Sequence, residues 1–220
     1  GIVDEFDGIG DLNKHIIKCV GCAHDRFSED ALRMFRAVRF AAQLGFEIDK
    51  ETQDAIKELA PTMAKVSAER IQVELVKLLT SDHPEMMRNL YELGLTKVFM
   101  PEFDVMMQTP QNNKHHMYSV GEHTIRTLMN VRADKVLRLT MLLHDVAKPV
   151  CITTDEEGQD HFKKHPAVGA DMTKQILRRL KFDNKTIDCC CRLVKEHDDR
   201  PQITPKNVRR ARSRTFSDAL

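Results

Sequence analysis

The chain has 220 residues, 41% of them hydrophobic but only 5% aromatic and none of them Trp, which suffices for the core of one large or two small domains. Its net charge of +1 excludes nucleic-acid binding by overall charge, so any such binding must use local basic faces. No apolar run approaches the roughly 20 residues of a membrane span, and Gly1-Ile-Val-Asp-Glu5 lacks the regions of a signal peptide, so a soluble, cytoplasmic protein is expected. Leu, Ala, Met, Lys, Arg and Glu dominate while Gly and Pro are sparse, which predicts an all-α architecture with short turns. The six cysteines have no secreted disulfide spacing, and Cys19-Val-Gly-Cys22 lacks the second pair that would complete a tetrahedral zinc site.

In chain order, an acidic, glycine-rich opening through Asp11 leads into a segment with Leu12, Ile16, Ile17 and Val20 at helical spacing. Ser28 is a candidate cap for a helix ending at Gly45, and Asp49 through Leu59 predicts the next, broken at Pro61. Ser67 opens a helix with Ile71, Leu75, Leu78 and Leu79 on its buried stripe, and a short one ends at Gly94. A loop rich in Pro, Gln and Asn is expected from Pro101 to about Asn113 and marks the best internal boundary. Further helices are expected over 119–132, 135–146, 165–180 and 184–196, with a small hairpin or loop at 153–158. Met34, Met129 and Met141 are expected to fill the core.

Two constellations carry chemistry. In the first, Arg26, Asp30, Arg33 and Arg36 gather near the start of one helix, where a carboxylate beside a guanidinium offers acceptors and donors together. Such a set can read a nucleobase edge and hold phosphate, or it can be a solvated face of weak ion pairs. The second runs from His116 to Asp198, with His123, the pair His144-Asp145, His165 and His197. The pair closes the apolar run Leu137-Arg-Leu-Thr-Met-Leu-Leu143 and is followed by Lys148 and Pro149, which puts the candidate ligands at the end of a buried helix. Histidines on successive helices can meet in a bundle core, with the aspartate bridging or balancing one or two divalent ions. His15, His24, His83 and His161 lie off this pattern, as ordinary surface or packing residues.

The stretch from Asp4 to Phe46, with Arg26-Phe27, Glu29-Asp30, Leu32-Arg33, Arg36-Ala37 and Leu44-Gly45-Phe46, resembles the bacterial-type (class II) tRNA nucleotidyltransferase and poly(A) polymerase family. Glu69-Arg70-Ile71 with Glu74-Leu75 is similar to that family's next neck motif, and the resemblance runs on through the histidines. It implies that Asp30 and Arg33 make the base-reading hydrogen bonds that select CTP and then ATP, with Arg26 and Arg36 near the nucleotide. The family's catalytic head carries a Gly-Gly or Gly-Ser turn and an Asp-x-Asp pair for two Mg ions, and neither occurs upstream of Asp4. The expected organisation is therefore a head remnant over 1–24, a helical neck over 25–100 and an HD-like bundle over 101–220. The implied function is CCA addition to tRNA 3′ ends, with this chain supplying nucleotide selection and tRNA docking and adding no nucleotides by itself.

Gly121-Glu-His-Thr124, Leu142-Leu-His-Asp-Val-Ala-Lys-Pro149, His165-Pro and Glu196-His-Asp198 resemble the HD metal-dependent phosphohydrolases. That resemblance implies a metal site of His123, His144, Asp145, His165 and His197, holding Mn, Ni, Fe or Zn, with Lys148 as the catalytic cation. The superfamily's further aspartate has no counterpart here beyond Asp218 near the end. The alternative functions are then hydrolysis of phosphomonoesters or cyclic phosphodiesters, and a non-catalytic RNA-binding module. The basic run Lys206–Arg214 has guanidiniums spaced to suit RNA phosphates.

Overall fold

The computed structural model describes residues 3–111 and 118–199, and within them the chain is helical with two small strand pairs. The opening is α1 (Gly8–Asn13), β1 (Ile16–Ile17), α2 (Ala23–Glu29) and α3 (Leu32–Leu44). After β2 (Glu47–Ile48) come α4 (Lys50–Leu59), a 3-10 turn over Ala60–Lys65 and α5 (Ala68–Leu79). A second 3-10 turn (Pro84–Met86) leads to α6 (Met87–Glu92), α7 (Thr96–Phe99) and α8 (Pro101–Gln108). The remainder is α9 (Val120–Met129), α10 (Lys135–Leu143), α11 (Lys148–Cys151), the hairpin β3 (Thr153–Thr154) and β4 (Asp160–His161), α12 (His165–Arg179) and α13 (Asn184–Glu196). Among the described residues no helix is long and apolar enough to cross a membrane.

The all-α expectation holds, and most starts and stops follow side-chain chemistry. Asp49, Ser119, Asp134 and Asp183 cap α4, α9, α10 and α13 by accepting the backbone N–H three residues on. Gly45 ends α3 at φ 66°, where a side chain would be strained. One continuous core runs from Phe27 and Phe35 through Leu75, Leu78 and Phe103 to Leu139, Leu142, Leu177 and Val194. Buried polar contacts tie distant elements together: Arg39 Nε of α3 donates to Glu74 of α5 at 2.8 Å, and Arg138 Nη1 of α10 donates to the Leu79 carbonyl at 3.1 Å.

Four local expectations are corrected. Ile16 and Ile17 form a strand parallel to Glu47–Ile48, because His15 takes φ 55° and stops α1, freeing the two β-branched residues to pair. Ser28 lies inside α2, and it is Asp30 Oδ1 that accepts from Leu32 N at the mouth of α3. The loop expected from Pro101 is instead α8 as far as Gln108, since Pro101 sits in the first turn, where its missing N–H costs nothing, and Phe103 and Met106 are buried. Met129, at the end of α9, is exposed, whereas Met34 is buried. His116, the basic run 206–214 and Asp218 lie outside the described residues.

Candidate functional site

All five residues of the histidine constellation come together, each delivered by a helix end or a first turn. His123 stands one turn inside α9, His144 and Asp145 follow α10, His165 opens α12, and His197 follows α13. Gly169 allows α12 to lie close on α13, where an added Cβ would stand 3.3 Å from Val194. Asp145 is 1% exposed and sits at the centre. Its Oδ2 faces His144 Nε2 at 3.1 Å and His123 Nε2 at 3.6 Å, while its Oδ1 faces His165 Nε2 at 3.4 Å and His197 Nε2 at 3.6 Å. Potential metal-ligand atoms fall into two groups that share Asp145, His123 with His144 and His165 with His197.

Three of the rings are held in one tautomer. The Nδ1 atoms of His144, His165 and His197 lie 2.7, 2.7 and 2.6 Å from the carbonyls of Met141, Phe162 and Val194. A carbonyl only accepts, so each Nδ1 carries hydrogen and, in a neutral ring, each Nε2 presents a bare lone pair to the cluster. The Nε2 atoms of His165 and His197 are 3.2 Å apart and both face the carboxylate. Three acceptors at that spacing repel one another unless a proton or a cation lies among them. Burial pushes the Asp145 carboxyl up, but the facing imidazoles of His144, His165 and His197 outweigh it and hold the group well below the usual carboxylate range. Burial pushes the His197 imidazole down, and Asp145 with the Val194 carbonyl reverses this to a net rise.

Lys148 Nζ stands 2.8 Å from Asp145 Oδ2 and donates to Gln111 Oε1 at 2.9 Å, above the Phe162 ring. Although Lys148 and His144 are within ion-pair range of Asp145 Oδ2, neither approach is aligned as a hydrogen bond, so this buried oxygen retains acceptor capacity. An orphaned carboxylate oxygen and converging Nε2 lone pairs form a donor set that suits a divalent transition metal. The cluster forms one wall of a cleft of about 510 Å³, which Asp160, Phe162, Lys163 and Asp198 also line. His161 belongs to this cleft as well, against the expectation that it lies off the pattern. Its ring bonds to Asp155 at 2.7 Å across the turn between β3 and β4, a neighbourhood no helical spacing reveals.

The arginine constellation is more dispersed. Arg26 lies on α2, Arg33 and Arg36 on α3, and Asp30 in the joint between them. Arg33 donates to Glu29 at 2.6 Å and to the Arg26 carbonyl at 3.1 Å, and Arg26 reaches Glu29 at 3.3 Å. Asp30 pairs with Arg70 of α5 at 2.7 Å, the contact that chiefly draws its carboxyl below the usual range. Sequence reasoning missed this partner, which is 40 residues away and became visible only through packing. Arg33 and Arg36 border a largely apolar hollow of about 280 Å³ with Phe27, Phe40 and Cys19.

Comparisons with known proteins cover most of the chain. Residues 45–107 match a family model described as "Probable RNA and SrmB- binding site of polymerase A", and residues 114–219 match the HD domain model. An A-adding tRNA nucleotidyltransferase of Deinococcus radiodurans is 33% identical over 208 residues, covering 89% of this chain and 47% of that protein. A CCA-adding enzyme of Limosilactobacillus reuteri is 57% identical over 83 residues, 38% of this chain and 21% of the relative. The Bacillus stearothermophilus CCA-adding enzyme in complex with CTP superposes with a TM-score of 0.58 at 28% identity, covering 91% of this chain and 42% of that one. The chain is like the class II CCA-adding enzymes in its neck and HD body. It spans about half the length of the Deinococcus relative and about a fifth of the Limosilactobacillus one.

Proposed function

We propose that the chain provides nucleotide selection and tRNA docking for CCA addition to tRNA 3′ ends, with CTP and ATP read at the α2–α3 joint. The observation that carries this is a donor, Arg33, on the rim of an open hollow, with the Asp30 carboxylate at the joint that opens the same helix. Cytosine and adenine each present an amino donor beside a ring-nitrogen acceptor, whereas the corresponding edges of uracil and guanine present an oxygen acceptor beside a ring N–H. A carboxylate with a neighbouring guanidinium complements the first pattern and opposes the second. Arg26 and Arg36 are suited to phosphate oxygens, and Arg70 and Glu29 orient Asp30 and Arg33. In this organisation residues 1–24 belong with a catalytic head, 25–100 form the neck and 101–220 the HD-like body, in a cytoplasmic protein. The test is equilibrium binding of CTP: wild-type protein should bind it, and Asp30→Ala or Arg33→Ala should weaken binding at least about tenfold, since a charge-assisted hydrogen bond contributes about 1.5–3 kcal/mol. Unchanged binding in both variants would refute the assignment.

The histidine cluster favours a second reading, metal-dependent hydrolysis of phosphomonoesters or cyclic phosphodiesters. His123, His144, Asp145, His165 and His197 would hold the divalent ion, of the Mn, Ni, Fe or Zn kind. Such an ion would supply Lewis acidity and lower the pKa of a water bound to it. Lys148, neutralised by Asp145 in this structure, would turn its ammonium toward a phosphate once a cation shares that carboxylate. His144→Ala should abolish metal-stimulated phosphatase activity, and activity equal to wild type would exclude the cluster as its source.

A further inference from the structure

Glu122, next to His123 on α9, receives a two-pronged contact from Arg88 of α6. Arg88 Nη2 donates to Oε1 at 2.7 Å and to Oε2 at 2.9 Å, and Nε donates to Oε2 at 3.2 Å. The contact crosses from the segment matched as a polymerase RNA-binding region to the segment matched as an HD domain. Two further features pin the same turn. Ser119 caps α9 by accepting from Glu122 N, and Gly121 sits so close to α8 that an added Cβ would meet the Met107 backbone at 2.7 Å. Helix α9 is thus located by its first turn, and His123 projects from that turn toward Asp145 Oδ2 at 3.6 Å.

We infer that Arg88 is a positioning residue for the metal cluster: through Glu122 it sets where His123 stands, so the neck governs one half of the ligand set while His165 and His197 on α12 and α13 do not depend on it. The physical basis is that a planar guanidinium gripping both carboxylate oxygens fixes orientation as well as distance. Metal affinity in turn is sensitive to the partners that orient its ligands, commonly by 10–100-fold. Arg126 touches Glu122 less closely, at 3.5 Å from Oε1, and lies over the Tyr118 ring, so it does not substitute for the grip of Arg88.

This inference rests on the cluster holding a divalent ion, and Co2+ titration followed by visible absorption separates the two questions. Wild type should bind Co2+ with ligand-field bands, and absence of binding would overturn the metal assignment itself. With wild type binding, Arg88→Met should weaken Co2+ at least tenfold and give the band shape of His123→Ala. In the His123→Ala background Arg88→Met should cause no further loss. The matched control is Arg179→Met, which removes a comparable grip on Glu102 at 2.7 and 2.9 Å, roughly 21 Å along α12 from His165, and should leave Co2+ binding unchanged. If Arg88→Met binds Co2+ as wild type does, or if Arg179→Met weakens binding equally, Arg88 has no positioning role. Should Arg88→Met not fold, Glu122→Gln takes its place with the same expected results.

Discussion

At the scale of the residue, Asp145 decides how the cluster behaves. One buried carboxylate faces four imidazoles and the Lys148 ammonium, so removing it strands a buried cation. Asp145→Ala should cost about 3–5 kcal/mol of unfolding free energy in urea at neutral pH, the range for breaking a buried pair from one side. A loss below about 1 kcal/mol would mean that Lys148 finds other partners. That the histidines around it would cluster was legible in the sequence because each is tied to a helix boundary or first turn, as with His144-Asp145 behind the Leu137–Leu143 run. Gln111, His161 and Arg70 were not legible, because each acts through a neighbour that only the tertiary fold supplies.

At the scale of the element, α9 and α13 depend on contacts a few atoms wide. Gly121→Ala would force α9 away from the Met107 backbone and should destabilise the protein by about 1–3 kcal/mol, as overpacking does, with metal affinity falling in parallel. A melting temperature equal to wild type would show that α8 yields freely. Asp183 caps α13 through Thr186 N at 2.8 Å and Thr186 Oγ1 at 2.7 Å, which, with smaller help from Lys135, lowers its carboxyl from 3.8 to about 2. Because the folded value lies below the unfolded one, the cap's contribution is fully present above about pH 4 and disappears as pH falls toward 2. Asp183→Ala should cost about 0.5–2 kcal/mol at pH 7 and progressively less below pH 4, which urea titrations at both pH values would read. The exposed Lys135 contact adds little to that figure. The one cap named from sequence was misplaced, because Ser28 lies inside α2 and Asp30 takes that position at the mouth of α3. Helix α8 was the hardest element to read, since Pro101 signals both a loop and a first helical turn, and burial of Phe103 and Met106 decided between them.

At the scale of the whole molecule, buried arginines weld the two functional ends into one body. Arg39 joins α3, which carries Arg33 and Arg36, to Glu74 on α5, while Arg138 joins α10, which ends at the histidine cluster, to the last turn of α5. Helix α5 is therefore shared by both ends. Glu74→Ala leaves Arg39 buried without its carboxylate and should cost about 3–5 kcal/mol, measured as a lower urea midpoint. Retained stability would mean that Gln43, 2.5 Å from Arg39, compensates alone. The all-α class was legible from composition, while this shared helix was not, because polar contacts 35 or more residues apart leave no periodic trace.

The most direct measurement is isothermal titration of the protein with CTP and with UTP, which differ in the base edge that Asp30 and Arg33 would read. Nucleotide selection by the neck predicts binding of CTP at least about tenfold tighter than UTP, a preference that Asp30→Ala erases. Equal affinity for the two nucleotides in the wild-type protein would contradict it.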